Sequence, residues 1–183
     1  MKTCHDVFPS LWMIIQMVDI DKRLEEAMAK TLQRKHDEAL RLCNEVLEEV
    51  PDSTDALRER SFVYRHMKDV RAASKDLTRL IELGSEEPGD YFVRGDCYIN
   101  MGDYEQAIRD LTRVVELGEF HQFHYHTDLA CFFRAYAFFA AGRYAEALAD
   151  CERLREGYTY FVGGTVRTKE SLMAEIAARL AGD

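Results

Sequence analysis

Little in this chain interrupts a helix. Its 183 residues include only 3 prolines and 10 glycines, so the punctuation that a turn-dense β-fold requires is scarce and an all-helical fold is expected. No stretch approaches the roughly 20 apolar residues of a spanning helix. The apolar run LWMIIQMV, residues 11–18, is bounded by Pro9 and Asp19 and lacks the cationic start and small-residue cleavage site of an export signal. No C-x-x-C pair occurs among Cys4, Cys43, Cys97, Cys131 and Cys151. That argues against a zinc knuckle or a redox dithiol and reads as free, packed thiols in a reducing compartment, with the cytoplasm as the expected location. Positive charge is also short. With 24 Lys and Arg against 33 Asp and Glu, the net charge is -9, which repels a phosphate backbone and argues against nucleic acid as a partner. Nothing points to a membrane partner. G-x-x-x-x-G-K-[ST], H-E-x-x-H and G-x-S-x-G strings are all missing, and the pair Gly163-Gly164 is too little for a phosphate loop. Neither an enzyme nor a bound cofactor is expected.

What is present is repetition. DLTRLIELG at residues 76–84 returns as DLTRVVELG at 110–118, and the same offset of 34 relates Tyr64 to Tyr98, Asp69 to Asp103 and Ala73 to Ala107. In YFVRGDCYINMGDYEQAIRDL, Gly95 and Ala107 are small where two antiparallel helices must approach closely, and Gly102-Asp103 supplies the turn between them. Tyr98 and Leu111 fill the space between the helices.

A period of 34, with Tyr91, Gly95, Tyr98, Ala107 and Leu111 in the order W-x-x-L-G-x-x-Y…A-x-x-x-F, resembles the tetratricopeptide repeat. Leu57, Ser61, Tyr64, Ala73 and Leu77 make the preceding unit; Cys131, Ala135, Phe138, Ala147 and Cys151 make a later one, after about six extra residues. Ala27, Ala39, Cys43 and Pro51 fit a first unit whose first helix is degenerate, with Arg23, Glu26 and Lys30 at positions that should be apolar. The resemblance implies an all-α fold, a right-handed α-solenoid of helix-turn-helix repeats, three clear and one degenerate, with capping helices at both ends. The expected limits are a capping segment at 1–20, repeats at 21–53, 54–87, 88–120 and 128–157 with an insertion near 119–127, and a loop and capping helix at 158–183. In the last, Leu172, Met173, Ile176, Ala177 and Leu180 recur at helical spacing behind a Thr168 N-cap. Gly84 and Gly118 are expected to end their helices.

The departures from that pattern are themselves periodic. Arg60, Arg94 and Arg134 stand where the family commonly has Leu, and sixteen residues after each comes Asp76, Asp110 or Asp150. The first unit carries Glu26 and Leu42 at these places. Arginine and aspartate appear and vanish together, which predicts a guanidinium on each first helix holding a carboxylate on the second.

In the family the first helices line a concave groove that takes peptides or protein segments. The positions carried over are Arg58, Phe62, Arg65 and His66 from the second unit, Phe92, Asp96, Ile99 and Asn100 from the third, and Phe132, Tyr136 and Phe139 from the fourth. The implied surface is aromatic with a basic edge suited to an acidic segment. The aromatics of the fourth unit, in CFFRAYAFFA, either face the groove or pack under a terminal helix or the insertion. The Lys and Asn clamp of the chaperone-docking subtype is replaced by Leu24 and Met28, so that subtype is not expected.

The implied partner is a protein or peptide, and the implied role is a stand-alone cytosolic adaptor, chaperone or toxin-neutralising immunity protein. The alternative is a metal-binding or metal-dependent role for His121, His124 and His126 in the insertion; on a helix the first two share a side and the third lies nearly opposite. No metal site is assigned. The run holding Trp12, Met13, Ile14 and Ile15 either caps the first unit or docks into a neighbour's groove and makes a homodimer.

Overall fold

The computed structural model describes the backbone of residues 9–121, 124–162 and 164–181, and the side chains of these apart from 9–15, 121 and 124–126. Within them the chain is a succession of helices: α1 (Pro9–Leu32), α2 (His36–Glu49), α3 (Thr54–His66), α4 (Val70–Glu82), α5 (Pro88–Met101), α6 (Tyr104–His121), α7 (His124–Ala140), α8 (Tyr144–Glu152) and α9 (Lys169–Leu180). A two-stranded antiparallel hairpin, β1 (Thr159–Val162) and β2 (Thr165–Thr168), precedes α9. The fold is the all-α tetratricopeptide fold expected from the period, with this hairpin added. It resolves into two compact units, residues 1–83 and 84–183.

The turn inside each helical hairpin is the same backbone device. Arg34, Lys68, Gly102 and Gly142 all take positive φ, at 63, 63, 79 and 77°. Around them the chain closes two nested hydrogen bonds each time: Lys68 N–H to Arg65 C=O and Asp69 N–H to Tyr64 C=O, then Gly102 to Ile99 and Asp103 to Tyr98. Arg34 and Lys35, and Gly142 and Arg143, repeat it. These satisfy carbonyls that a helix end would leave open. The degenerate first repeat therefore closes with the same turn as the others.

In the first unit, Ala27 and Ala39 are fully buried and let α1 and α2 approach, with Leu24, Leu42, Cys43 and Val46 around them. The polar letters of α1 are accommodated at the surface. Arg23 donates two hydrogen bonds of 2.7 and 2.8 Å to Glu49, and Lys30 reaches Glu38 at 2.6 Å. Helix α1 runs unbroken from residue 9, so the apolar run at 11–18 continues into the first repeat helix; the side chains of Trp12, Met13, Ile14 and Ile15 lie outside the described residues. Helix α3 begins behind Ser53, whose hydroxyl accepts from the Ala56 N–H at 3.3 Å, and α4 behind Asp69, which accepts from Ala72 at 2.9 Å.

In the second compact unit a Cβ on Gly95 would lie 3.1 Å from Leu111 Cγ, so α5 and α6 cross closely there and a side chain at this position would require Leu111 to shift. The core holds Leu111, Val114, Phe132, Phe133, Cys151, Leu172 and Ile176. Two expectations are corrected. Gly118 does not end its helix: α6 runs on through it to His121, because Gly118 is buried inside the helix, where the extra residues lengthen α6. Residues 158–168 are not a plain loop. Their β-branched and aromatic residues pair Thr159 with Thr168 and Phe161 with Val166, and Gly164, just before β2, has φ 80°. Helix α9 then starts with Thr168 and Ser171 capping each other reciprocally at 3.0 Å.

Candidate binding faces on the first helices

The three arginine forks are present as the spacing predicts. Arg60 donates Nε to Asp76 Oδ2 at 2.9 Å and a terminal nitrogen to Oδ1 at 2.7 Å. Arg94 holds Asp110 at 2.8 and 2.7 Å, and Arg134 holds Asp150 at 2.7 and 2.7 Å. The aspartates are buried. A further bond went unread in the sequence: the other terminal nitrogen of Arg60 reaches Asn44 Oδ1 at 2.7 Å, and that of Arg134 reaches Thr112 Oγ1 at 3.0 Å. Each of these arginines thus joins its own hairpin to the second helix of the one before. Asn44 and Thr112 stand two periods apart, which is the signal that could have found them. These arginines are braces, with their donors spent inside the protein.

In the first compact unit, residues 1–83, an open pocket of about 360 Å³ lies between α1 and α3, lined by Asp21, Leu24, Glu25 and Met28 from one helix and Asp55, Arg58 and Glu59 from the other. Leu24 is nearly covered while Met28 is 48% exposed. Arg58 pairs with Asp55 at 3.2 Å. At this pocket one arginine, already paired, stands among four carboxylates. One oxygen of Glu59 is buried without a hydrogen-bond partner, and burial raises its carboxyl above the ordinary value. Further along α3, Phe62 is half-buried and meets the exposed His66 edge to face at 4.4 Å, with His36 6.4 Å from His66. Arg65 is half-buried.

In the second compact unit, residues 84–183, the predicted residues divide. Phe132 is fully buried against Tyr158, 5.5 Å away, and Ile99 is 4% exposed; both belong to the core. Their register turns them inward, so neither can meet a partner in this conformation. Phe92 is half-buried and packs edge-on against Phe133 at 4.9 Å. Asn100 is exposed and donates to the Asp96 backbone carbonyl at 2.8 Å and to its carboxylate at 3.2 Å. Phe139 is half-buried against Tyr144. Tyr136 lies under the guanidinium of Arg167, 5.1 Å from its ring centre, and burial pushes its phenol up. Tyr160 stands on Phe133 at 5.3 Å. The β-hairpin thus lays one aromatic and one cation across the first-helix face of α7, a covering that helical periodicity gave no means to foresee.

The side chains of His121, His124 and His126 lie outside the described residues. Among the described residues no group of three or more His, Cys, Asp and Glu could hold a metal ion, and no helix is long and apolar enough to cross a membrane.

A family model described as tetratricopeptide repeat matches residues 92–160. The solved structure "MamA MSR-1 C2" aligns with a TM-score of 0.69 at 16% identity, covering 90% of this chain and 88% of that one. YrrB, described as a TPR protein with an unusual peptide-binding site, aligns with a TM-score of 0.64 at 19% identity over 78% and 72%. The first TPR of Spaghetti (RPAP3), solved bound to the HSP90 peptide SRMEEVD, aligns with a TM-score of 0.50 at 23% identity over 54% and 78%. At these identities the likeness is one of fold. No curated protein is significantly similar in sequence.

Proposed function

We propose that this chain, a tetratricopeptide-repeat protein, holds a protein or peptide partner against the faces of its first helices and acts as a binder rather than a catalyst. The observation that carries the reading is the open pocket between α1 and α3, with Met28 exposed in its lining and Phe62 farther along α3. Concave, largely apolar sites with a few placed polar groups are where ligands bind, and aromatic anchors dominate protein recognition. In the second compact unit Phe92, Asp96 and Asn100 on α5 and Phe139 on α7 are residues of the same kind. The proposed setting is the cytoplasm, and the proposed role is that of an adaptor, a chaperone or a toxin-neutralising protein. The net charge of -9 supports a protein ligand over nucleic acid. Met17 and Val18, exposed on α1, offer a homodimer contact.

The test compares partners captured from the native cell by the wild type and by Phe62→Ala/Phe92→Ala. Loss of a specific partner from a folded variant is the expected result. A folded variant that keeps every partner would remove the first-helix faces from consideration.

A further inference from the structure

We infer that the pocket between α1 and α3 receives a basic amphipathic segment of a partner protein: a Leu- or Met-like side chain against Leu24 and Met28, with an adjacent Lys or Arg among the carboxylates. The inference rests on the first-helix reading and specifies its chemistry.

Charge and shape agree on this occupant. The lining carries Asp21, Glu25, Asp55 and Glu59 against Arg58 alone, and Arg58 is paired with Asp55. An acidic segment would meet repulsion from the other three carboxylates, whereas a cation is drawn in by them. A purely polar cation would leave Leu24 and Met28 without a partner. The volume of about 360 Å³ is at the small end of ligand sites, room for one or two side chains rather than a folded domain. Glu59 is one of the lining carboxylates, and one of its oxygens is buried with no donor inside the protein, so a cation brought into the pocket stabilises that carboxylate through space. A second copy of this chain, with its charge of -9, is of the wrong sign to be the usual occupant.

The experiment pans a phage-displayed random peptide library against the full-length protein, then measures the selected peptides by fluorescence anisotropy. Enriched sequences should join Lys or Arg to Leu or Met. Glu25→Gln/Glu59→Gln should weaken the selected peptides by about tenfold, equivalent to about 1.4 kcal/mol, and raised salt should weaken the wild type. Asp37→Asn/Glu48→Asn removes the same charge from α2, away from this pocket, and should change affinity by less than about twofold. Circular dichroism melts establish that each variant is folded. Enrichment of acidic peptides, enrichment of none, or equal weakening by both double variants would overturn the inference. If Phe62→Ala abolishes binding while Glu25→Gln/Glu59→Gln preserves it, the first-helix face stands and its cationic preference falls. If both variants keep the peptides, the face itself is wrong.

Discussion

Arg134 grips Asp150 through two parallel hydrogen bonds of 2.7 Å and spends its remaining terminal nitrogen on Thr112, in the hairpin before. One side chain therefore fastens three helices. Arginine is suited to this because its planar fork fits a carboxylate with two donors and keeps others for a third group, while its stem packs on apolar neighbours. The phrase DLTR at residues 110–113 acquires a double meaning: its aspartate braces its own hairpin and its threonine braces the next.

Breaking a fork should cost more than removing a surface ion pair, because a buried aspartate is left without its donors. Arg94→Ala is expected to destabilise the protein by about 2–4 kcal/mol, read from denaturant unfolding, whereas Arg113→Ala, an exposed pairing with Glu116, should change it by about 0–1 kcal/mol. Arg94→Met/Asp110→Leu should recover much of the loss. Unchanged stability of Arg94→Ala together with lost partner binding would show the arginine to be a ligand group.

The repeated turn makes a cleaner prediction, since it isolates one backbone angle. Lys68 occupies the left-handed region at φ 63°, where Gly102 sits in the next repeat at φ 79° with nothing within 4 Å of the place its Cβ would take. Lys68→Gly should therefore stabilise by up to about 1 kcal/mol, and Gly102→Ala should destabilise by about 1–2 kcal/mol. A destabilised Lys68→Gly would mean that the lysine side chain contributes more than its conformation costs.

Burial pushes the thiols of Cys43, Cys131 and Cys151 up, to about 12, 11 and 11. Cys97 is also buried. Iodoacetamide at pH 8 should leave all four unmodified in the folded protein and label them on unfolding, as read by mass spectrometry. The linkage has a definite sign. A folded pKa above the unfolded value of about 8.5 gives stability that is complete below that pH and declines as pH rises towards 11–12. Melting temperature should fall between pH 8 and pH 10, and less steeply in Cys43→Ala/Cys151→Ala when each protein is compared with its own value at pH 7. A parallel fall in both would place the alkaline transition elsewhere.

How much of this was written in the sequence depends on whether a feature is local or periodic. The period of 34, the forks at a spacing of sixteen and the small residues Ser61, Gly95 and Ala135 were legible because one physical constraint recurs from hairpin to hairpin. The acidic pocket was not. Asp21 and Glu25 belong to the degenerate helix α1, and only its register against α3 brings them beside Asp55 and Glu59, a pairing that the letters of α3 alone do not show. Phe132 misled for a related reason: in a segment apolar on nearly every face, adjacent phenylalanines give no clue to which is inside. Thr112 was overlooked because its partner lies in the following unit, twenty-two residues away.

The hairpin yields the last prediction. Val162 is buried and Tyr160 and Arg167 meet α7, while Phe161 and Val166 on the opposite face are 60 and 70% exposed. Its register hangs on the turn at Gly164, φ 80°, where a side chain meets no steric obstacle but is forced into a strained conformation. Gly164→Val should therefore loosen the hairpin without opening the helical core. Hydrogen exchange at residues 159–168 should accelerate by about tenfold or more, as a loss of about 1.4 kcal/mol of local stability implies, while α5 and α6 keep their protection. Phe133 and Tyr136 would lose their cover, so binding of an apolar dye should rise. If exchange stays slow at residues 159–168, the contacts of Tyr160 and Arg167 with α7, rather than the turn, hold the hairpin in place, and Tyr160→Ala/Arg167→Ala should then release it.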